Sequence, residues 1–227
     1  MGRNRHGKRY RAEAEKVPDH PVPLAEAVAV LKQFNSTKFD QTVELTVWLG
    51  IDSRQADQQV RGSISLPHGI GKTKRVIAFC EDQQVQPALE AGAVAAGGEE
   101  LIKKVQGGWM DFDVAVATPT MMRSVSRLGR ILGPQGKMPS PKSGTVVQEV
   151  APAVAEYTAG KIEFRNDEGG NIHVPVGKLS FEPEKLVENV QAFLERLGAM
   201  RPAAARGQYI KKVCLSATMT PAVRVAV

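Results

Sequence analysis

The sequence predicts an α/β protein of two domains, in which a discontinuous domain built from both chain ends carries an inserted domain. Three observations predict this. Half-buried strand patterns occur near both ends, apolar strands alternate with helices between them, and Gly and Pro lie where the two patterns meet, at residues 66–69 and 159–160. We expect residues 1–67 and 160–227 to form the discontinuous domain and residues 68–159 the inserted one.

The N-terminal part predicts one helix and one half-buried strand. Residues 24–34 form the helix, because Leu24, Val28 and Leu31 fall on one side of it. In the strand, apolar residues alternate with polar residues or Trp: Val43, Leu45, Val47 and Leu49 against Thr42, Glu44, Thr46 and Trp48. The same alternation, extended backwards, favours a core position for Phe39.

The middle of the chain predicts a parallel sheet, because strands that alternate with helices pair in that way. The predicted elements are a buried strand over residues 76–80, helices over residues 83–91 and 99–105, a strand over residues 114–117 whose exit opens another helix, and a helix over residues 150–158. A stretch rich in Gly and Pro, residues 129–144, interrupts this order.

The C-terminal part returns to half-buried strands. Ile162 and Phe164, a turn over residues 166–170, and then Ile172, Val174 and Val176 together predict a hairpin. A helix beginning at Pro183 has one apolar stripe, formed by Leu186, Val190, Phe193 and Leu197. The last strand places Val213, Leu215, Ala217 and Met219 on one side.

Composition and charge favour a globular protein with an anionic partner. The 227 residues are 42% hydrophobic and 24% charged, and 30 Lys and Arg against 24 Asp and Glu give a net charge of +6. Four stretches carry several cations and no acid, although each by itself is equally compatible with a solvated surface. Cys80 and Cys214 lie in no metal or redox motif, and no apolar run reaches the ~20 residues of a membrane span. We therefore expect a cytoplasmic protein without a metal or membrane partner.

Catalytic chemistry has no good candidate in the sequence. The four His residues lie in different segments, and Asp111 and Asp113 are explained by capping or loop solvation. The Gly-Lys-Thr at residues 71–73 lacks the first glycine of a phosphate-binding loop, which argues against a nucleotide-using enzyme. No cofactor is predicted. The acid-free stretch from Gly129 to Gly144 could meet phosphates through free N–H groups, Lys and Arg, or could be a structural loop.

Two clusters have the chemistry of an RNA-binding surface. The first is Ser36 to Phe39 together with Thr42, and the second is Ser216, Thr218 and Met219. An aromatic ring beside a lysine offers a stacking plane with a charge, and hydroxyl groups can both donate to and accept from the ribose 2′-OH. A solvated strand threonine is the alternative for Thr218.

Several motifs, in order from His6 to about Val225, resemble the family of bacterial large-subunit ribosomal protein L-one. They are His6-Gly-Lys-Arg-Tyr-Arg11, Leu49-Gly-Ile-Asp52, Val60-Arg-Gly62, Ser65-Leu-Pro-His-Gly69, Gly108-Trp-Met-Asp-Phe-Asp113, Gly129-Arg-Ile-Leu-Gly-Pro134, Ile162-Glu-Phe-Arg-Asn-Asp167, Pro175-Val-Gly-Lys178 and Ser216-Ala-Thr-Met219. The resemblance covers nearly the whole chain.

The resemblance implies a split βαβ domain of α+β type from both chain ends, and an inserted Rossmann-like three-layer α/β sandwich. It further implies a structural protein, not an enzyme, that binds rRNA in the mobile stalk of the large ribosomal subunit. The stalk lies beside the tRNA exit site and assists the release of deacylated tRNA. Many members also repress translation of their own operon by binding its mRNA. We expect this chain to be monomeric when free.

The resemblance also assigns RNA contacts, and it moves Phe39 from the core to the interface. The residues that match family contacts, or lie in the clusters above, are Lys38, Phe39, Thr42, Arg61, Arg165, His173, Ser216, Thr218 and Met219. The family commonly has Gly after the Thr-Met pair, whereas this chain has Thr220, whose side chain could crowd an approaching ribose-phosphate. A non-specific nucleic-acid-binding module is the remaining alternative.

Overall fold

A computed structural model describes residues 7–34 and 37–226, which separate into two compact units. The first unit contains Met1–Val60, Leu66–Gly71 and Phe164–Val227, and the second contains Arg61–Ser65 and Lys72–Glu163. These bounds differ from the domain boundaries expected above, because Arg61–Ser65 and residues 160–163 group with the second unit and residues 68–71 with the first. His6, at the start of the first family motif, and Ser36, in the first cluster, lie outside the described residues.

In chain order, the elements are α1 (Lys8–Ala14), α2 (Leu24–Lys32), β1 (Thr42–Leu49), β2 (Arg61–Ile64), β3 (Val76–Phe79), α3 (Asp82–Glu90), β4 (Ala95–Gly97), α4 (Glu99–Gln106), β5 (Val114–Ala117), α5 (Met122–Val125), α6 (Gly129–Leu132), α7 (Val150–Thr158), β6 (Ile162–Arg165), β7 (Asn171–Lys178), α8 (Pro183–Ala199), β8 (Ile210–Ala217) and β9 (Val223–Val225).

The first unit is a four-stranded antiparallel sheet in the order β7-β1-β8-β9 with α2 and α8 packed on one face. Alternation in β1 buries Val43, Leu45 and Val47 completely, and the apolar stripe that the sequence predicts on α8 is buried as well. The alternate residues of β1 face away from the helices and stay accessible: Thr42, Glu44, Thr46 and Trp48. The sheet therefore has one core face and one open face.

The predicted hairpin is correct in its turn but wrong in its strand pairing. Asp167 N–H donates to Asn171 O at 2.8 Å, and Asn166 and Ile172 form one antiparallel bridge. Beyond that bridge β6 does not follow β7, since β6 pairs with β2 in a separate two-stranded sheet while β7 pairs with β1 over seven residues. The longer alternating pattern of β1 gives β7 more paired residues and more buried side chains than the four-residue β6 could.

The second unit is a parallel sheet in the order β4-β3-β5 between two layers of helices. Alternate residues of β3 serve opposite faces: Ile77 and Phe79 pack with α4, while Val76 and Ala78 pack with α3 and α7. This three-layer arrangement confirms the predicted two-domain α/β fold class. The short strands β4 and β9 were not predicted, because three residues are too few to carry an alternating pattern.

Candidate nucleic-acid interface

Hydrogen bonds of the Thr218 side chain link the start of β1 to the end of β8. The backbone N–H of Thr42 donates to Thr218 Oγ1 at 3.2 Å, and Thr218 Oγ1 lies 3.3 Å from Thr42 O, to which the Thr218 N–H also donates at 3.0 Å. At the end of the β1–β8 pair, the hydroxyl thus accepts the N–H hydrogen bond that a strand carbonyl would otherwise accept. With its proton directed at Thr42 O, an outward lone pair remains as an acceptor for an incoming donor such as a ribose hydroxyl.

Two neighbours that the sequence reasoning missed complete this corner. Gln41, which is buried, donates from Nε2 to Thr218 O at 2.6 Å, and Lys178 donates from Nζ to Thr42 Oγ1 at 2.9 Å. Lys178 stood within one of the quoted family motifs but received no role, because only tertiary pairing of β1 with β7 brings Thr42 opposite it. The corner is therefore held rigidly by five hydrogen bonds to Thr42 and Thr218.

The expectation that Met219 continues the core face of β8 is wrong. The strand ends at Ala217, and the Thr220 N–H closes a turn by donating to Ala217 O at 3.0 Å. Met219 has a φ of +69°, in the left-handed region, and its side chain is 62% exposed. A turn of this kind points the thioether away from the protein, where an apolar partner surface can cover it.

The side chain of Thr220 faces the protein and not the solvent. It is buried, its Oγ1 donates to Ala217 O at 3.0 Å, and it accepts the Ala217 N–H at 3.0 Å. The expectation that this side chain could crowd an RNA backbone is therefore wrong. The hydroxyl instead satisfies an N–H that has no strand partner at the end of β8.

Phe39 stands in solvent on the segment that leads into β1. Its side chain is 51% exposed, which contradicts the core position favoured by alternation and agrees with the accessible position implied by the family resemblance. The flanking residues are tied down: the Thr37 hydroxyl donates to Phe39 O at 3.2 Å, and Asp40 accepts from the Ser180 N–H and hydroxyl at 3.2 and 2.9 Å. Lys38 is exposed beside the ring.

We call the accessible group Lys38, Phe39, Thr42, Thr218 and Met219 the Thr218 edge. Its members come from the start of β1 and the end of β8, and the Thr42–Thr218 hydrogen bonds bring these segments together. An aromatic plane, a cation, hydroxyl groups and a flexible apolar tip thus lie on one border of the open sheet. These are the groups that stack on bases, neutralise phosphate and bind ribose.

The other predicted contact residues are accessible but lie elsewhere. Ser216 is opposite Glu44 on the open face, and His173 lies further along, hydrogen bonded through Nδ1 to the Thr46 hydroxyl at 3.2 Å. Arg165 is exposed on β6, and Arg61 is exposed on β2 in the second unit. The structure therefore gathers Lys38, Phe39, Thr42, Thr218 and Met219, with Ser216 two residues before Thr218 on the same open face. His173, Arg165 and Arg61 lie on other strands.

The carboxylate nearest His173 belongs to Asp167. His173 Nε2 lies 3.6 Å from Asp167 Oδ2, and Asp167 also accepts the Asn171 N–H at 2.7 Å. The donated N–H lowers the pKa of Asp167, with the neighbouring His173 adding a smaller effect in the same direction. The carboxylate is thus held charged by the turn, and it offsets part of any positive charge on His173.

The stretch from Gly129 to Gly144 is folded rather than open. It contains α6 and a short 3-10 turn over Pro141–Ser143, and Ser143 is buried with its carbonyl accepting from the Tyr157 hydroxyl at 2.9 Å. Lys137 Nζ donates to Phe112 O at 2.6 Å and to Met110 O at 3.3 Å, so this ammonium is engaged by carbonyls. Lys142 is exposed, and it is therefore better placed to meet a phosphate.

The acidic pair Asp111 and Asp113 is structural, as expected, but both carboxylates contact Arg75 instead of capping a helix or being only solvated. Asp113 accepts the Arg75 N–H at 3.0 Å, and Asp111 is ion-paired with the Arg75 guanidinium. The hydrogen bond from Arg75 lowers the pKa of Asp113.

Burial raises the pKa of the Cys80 thiol, which disfavours a reactive thiolate.

Residues 7–34 and 37–226 contain no group of three or more His, Cys, Asp or Glu that could hold a metal ion. Over the same ranges, no helix has both the length and the apolar character needed to cross a membrane.

Known proteins similar to this chain place it among the large-subunit ribosomal proteins. It is 51% identical over 223 residues to the "Large ribosomal subunit protein uL1" of Thermus thermophilus, with 97% of both chains covered. The protein of the same name from Kosmotoga olearia is 50% identical over 222 residues, covering 97% of this chain and 96% of that protein.

The family follows from a second comparison. The model of the ribosomal protein L1p/L10e family matches residues 31–221, and the chain belongs to that family. The resemblance stated from the sequence motifs is thereby confirmed, and the chain is a structural protein of the large ribosomal subunit.

Proposed function

We propose that this protein binds large-subunit rRNA through the Thr218 edge. The observation that carries the proposal is the fastening of Thr42 to Thr218, which holds two hydroxyl groups beside the exposed Phe39 and Met219. Rigid presentation matters, because side chains that are already ordered lose less conformational entropy on binding.

Each group of the edge has a distinct part in this binding. Phe39 stacks on an unpaired base, and Lys38 neutralises a nearby phosphate. Thr42 and Thr218 meet ribose hydroxyls, which distinguishes RNA from DNA. Arg165, His173 and Ser216 supply further contacts from the first unit, and Arg61 supplies one from the second unit.

The wider role we propose rests on the family. The protein sits in the mobile stalk of the large subunit near the tRNA exit site, and movement of the stalk accompanies the release of deacylated tRNA. It also binds a similar structure in the mRNA of its own operon and represses its translation. In this proposal it acts by binding and not by catalysis, works in the cytoplasm on the ribosome, and is monomeric when free.

The test is filter binding of the purified protein to a stalk rRNA fragment and to the operon leader mRNA. Thr218→Val combined with Met219→Ala should lower rRNA affinity by a few kcal/mol, the scale of polar groups left unpaired at an interface. The matched control is the other Thr-Met pair, Thr120→Val with Met121→Ala, which lies in the second unit and should leave affinity unchanged. Equal loss from both double variants would contradict the assignment of the edge.

Competition with bulk tRNA separates this proposal from a non-specific nucleic-acid-binding module. A shape-selective interface retains stalk rRNA in the presence of excess tRNA, whereas a non-specific cationic surface releases both in proportion. Binding to stalk rRNA without binding to the operon leader would remove the autoregulatory part of the proposal and leave the ribosomal part intact.

A further inference from the structure

An aromatic side chain unrelated to the Thr218 edge is exposed on the same open face. Among the described residues, the large hydrophobic side chains that are strongly exposed are Phe39, Trp48, Leu89, Val94 and Met219. Phe39 and Met219 belong to the Thr218 edge. Trp48 is 44% exposed at the opposite end of β1, six residues or about 20 Å from Thr42.

Three cations surround Trp48. Lys211 Nζ lies 4.8 Å from the centroid of the indole, Lys212 pairs with Trp48 in the register of β1 with β8, and Arg224 is next to β8 on β9. Together with Pro21 and Val225 they line a groove of about 410 Å³. We call this feature the Trp48 groove.

The cations of the groove have no acidic partners within the described ranges. Lys211, Lys212 and Arg224 form no ion pair there, whereas Lys161 and Lys185 elsewhere do. The acidic residue of β1, Glu44, lies four residues from Trp48, or about 13 Å along the strand. As far as the described residues go, the groove is therefore a site of positive charge without an acidic partner, around an exposed aromatic ring.

We propose that the Trp48 groove is a second RNA-binding surface, in which an unpaired base stacks on the indole while Lys211, Lys212 and Arg224 contact phosphates. The inference rests on the proposed function, since the RNA is the same rRNA that the Thr218 edge binds. A second protein is the poorer match, because Lys is depleted at protein interfaces and three unpaired cations would need an equally acidic partner. A base on an aromatic ring flanked by cations is the common arrangement for single-stranded segments of RNA.

The stem of Lys211 passes close to Gly50. A Cβ built on Gly50 would lie 3.1 Å from Lys211 Cε, and it would lie only 2.2 Å from the carbonyl oxygen of Gln208. The stem is flexible, and its ammonium can leave the ring for a phosphate when a base takes its place. Lys211 would then exchange a cation–π contact for a charge-assisted one.

Tryptophan fluorescence can report on this surface alone. The chain has two Trp residues, Trp48 in the first unit and Trp109 in the second. Trp109→Phe leaves Trp48 as the single reporter, and Trp48→Phe leaves Trp109, whose indole also lies under a lysine, with Lys104 Nζ 4.1 Å from its centroid. The two variants are matched in that respect and differ in which surface they report.

Both variants are titrated with a synthetic stalk rRNA fragment while total binding is followed by filter assay. We expect the RNA to quench Trp48 in the Trp109→Phe protein at the concentrations at which the filter assay saturates, and to leave Trp109 unchanged. Trp48→Ala should weaken binding about fivefold or more, the loss expected for one base–aromatic stack. Trp48→Phe should retain most of the affinity.

The outcomes separate this inference from the proposed function. Saturable binding of the fragment with silent Trp48 fluorescence and an unchanged affinity of Trp48→Ala would overturn the groove and leave the Thr218 edge standing. Equal quenching of both tryptophans would also overturn it, because the signal would then not come from a base on Trp48. Failure of the fragment to bind at all would overturn both proposals.

Discussion

Replacing Met219 by Gly should stabilise the first unit while weakening RNA binding. Among the described residues, Met219 is the one non-glycine residue with a positive φ, at +69°. Holding an L-residue in the left-handed region costs about 1–2 kcal/mol, and Gly avoids that cost. Because the Met219 side chain is 62% exposed, its removal sacrifices little packing.

The expected gain is smaller than the full relief of strain. Glycine also increases the conformational freedom of the unfolded chain, which lowers stability by about 0.4–1 kcal/mol. The free energy of unfolding of the first unit should therefore rise by roughly 0.8 kcal/mol, the difference between the midpoints of these two ranges. The sequence thus accepts a strained residue at a position where we propose that it contacts RNA.

Urea denaturation in a Trp109→Phe background measures this change, because Trp48 then reports on the first unit. Met219→Ala is the control: it removes the same side chain but leaves a Cβ in the left-handed region, so its stability should stay close to that of the parent. Both variants should bind the stalk rRNA fragment more weakly. A Met219→Gly protein no more stable than Met219→Ala would refute the argument from backbone strain, and full affinity in both would show that the side chain does not touch RNA.

Three further outcomes follow from the hydrogen bonds described above. Thr220→Val should lower the free energy of unfolding by about 1–3 kcal/mol, because it leaves a buried Ala217 N–H unpaired, whereas Thr220→Ser should retain most of the stability. Neither variant should alter rRNA affinity. Urea midpoints measure the first effect and filter binding the second. Lys142→Ala should flatten the log–log dependence of rRNA affinity on salt by about 0.7–0.9 if this lysine meets a phosphate, whereas Lys137→Ala should lower stability and leave the slope unchanged. The folded state lowers the pKa of Asp113, so this carboxylate stabilises the protein above its ordinary pKa of about 4, and the stabilisation is lost as the pH falls through the folded pKa. Urea titrations of Asp113→Asn should therefore show a shallower loss of unfolding free energy between about pH 5 and 2 than those of the parent protein. Identical curves for the two proteins would contradict this.

Strands and helices with a sustained period were predictable from the sequence. The stripe of α8 and the alternation of β1 each repeat several times, and the faces they predict are the faces that the structure buries. Strands β4 and β9 were not predictable, because three residues are too few to carry an alternating pattern. The pairing of β6 was predicted wrongly for a different reason: its partner β2 lies far earlier in the chain.

The candidate site was also predictable only in part: the residues were identified from the sequence, but the burial of two of them was predicted wrongly by alternation. Residue chemistry and family motifs pointed to Phe39, Thr42, Thr218 and Met219 as a group. Alternation alone placed Phe39 in the core and Met219 on the core face of β8, because a pattern of period two gives no sign of where a strand begins or ends.

The sequence by itself determined the fold class, the cationic character and the family of this protein, since these depend on local periodicity, composition and ordered motifs. Tertiary structure decided which cations are free and which are engaged. Lys137 and Lys142 both lie in the same acid-free stretch of the sequence. In the structure, Lys137 donates to the carbonyls of Met110 and Phe112, whereas Lys142 is exposed. The tertiary structure also assembled Trp48, Lys211, Lys212 and Arg224 from three strands, because strand register brings together residues that no local pattern connects.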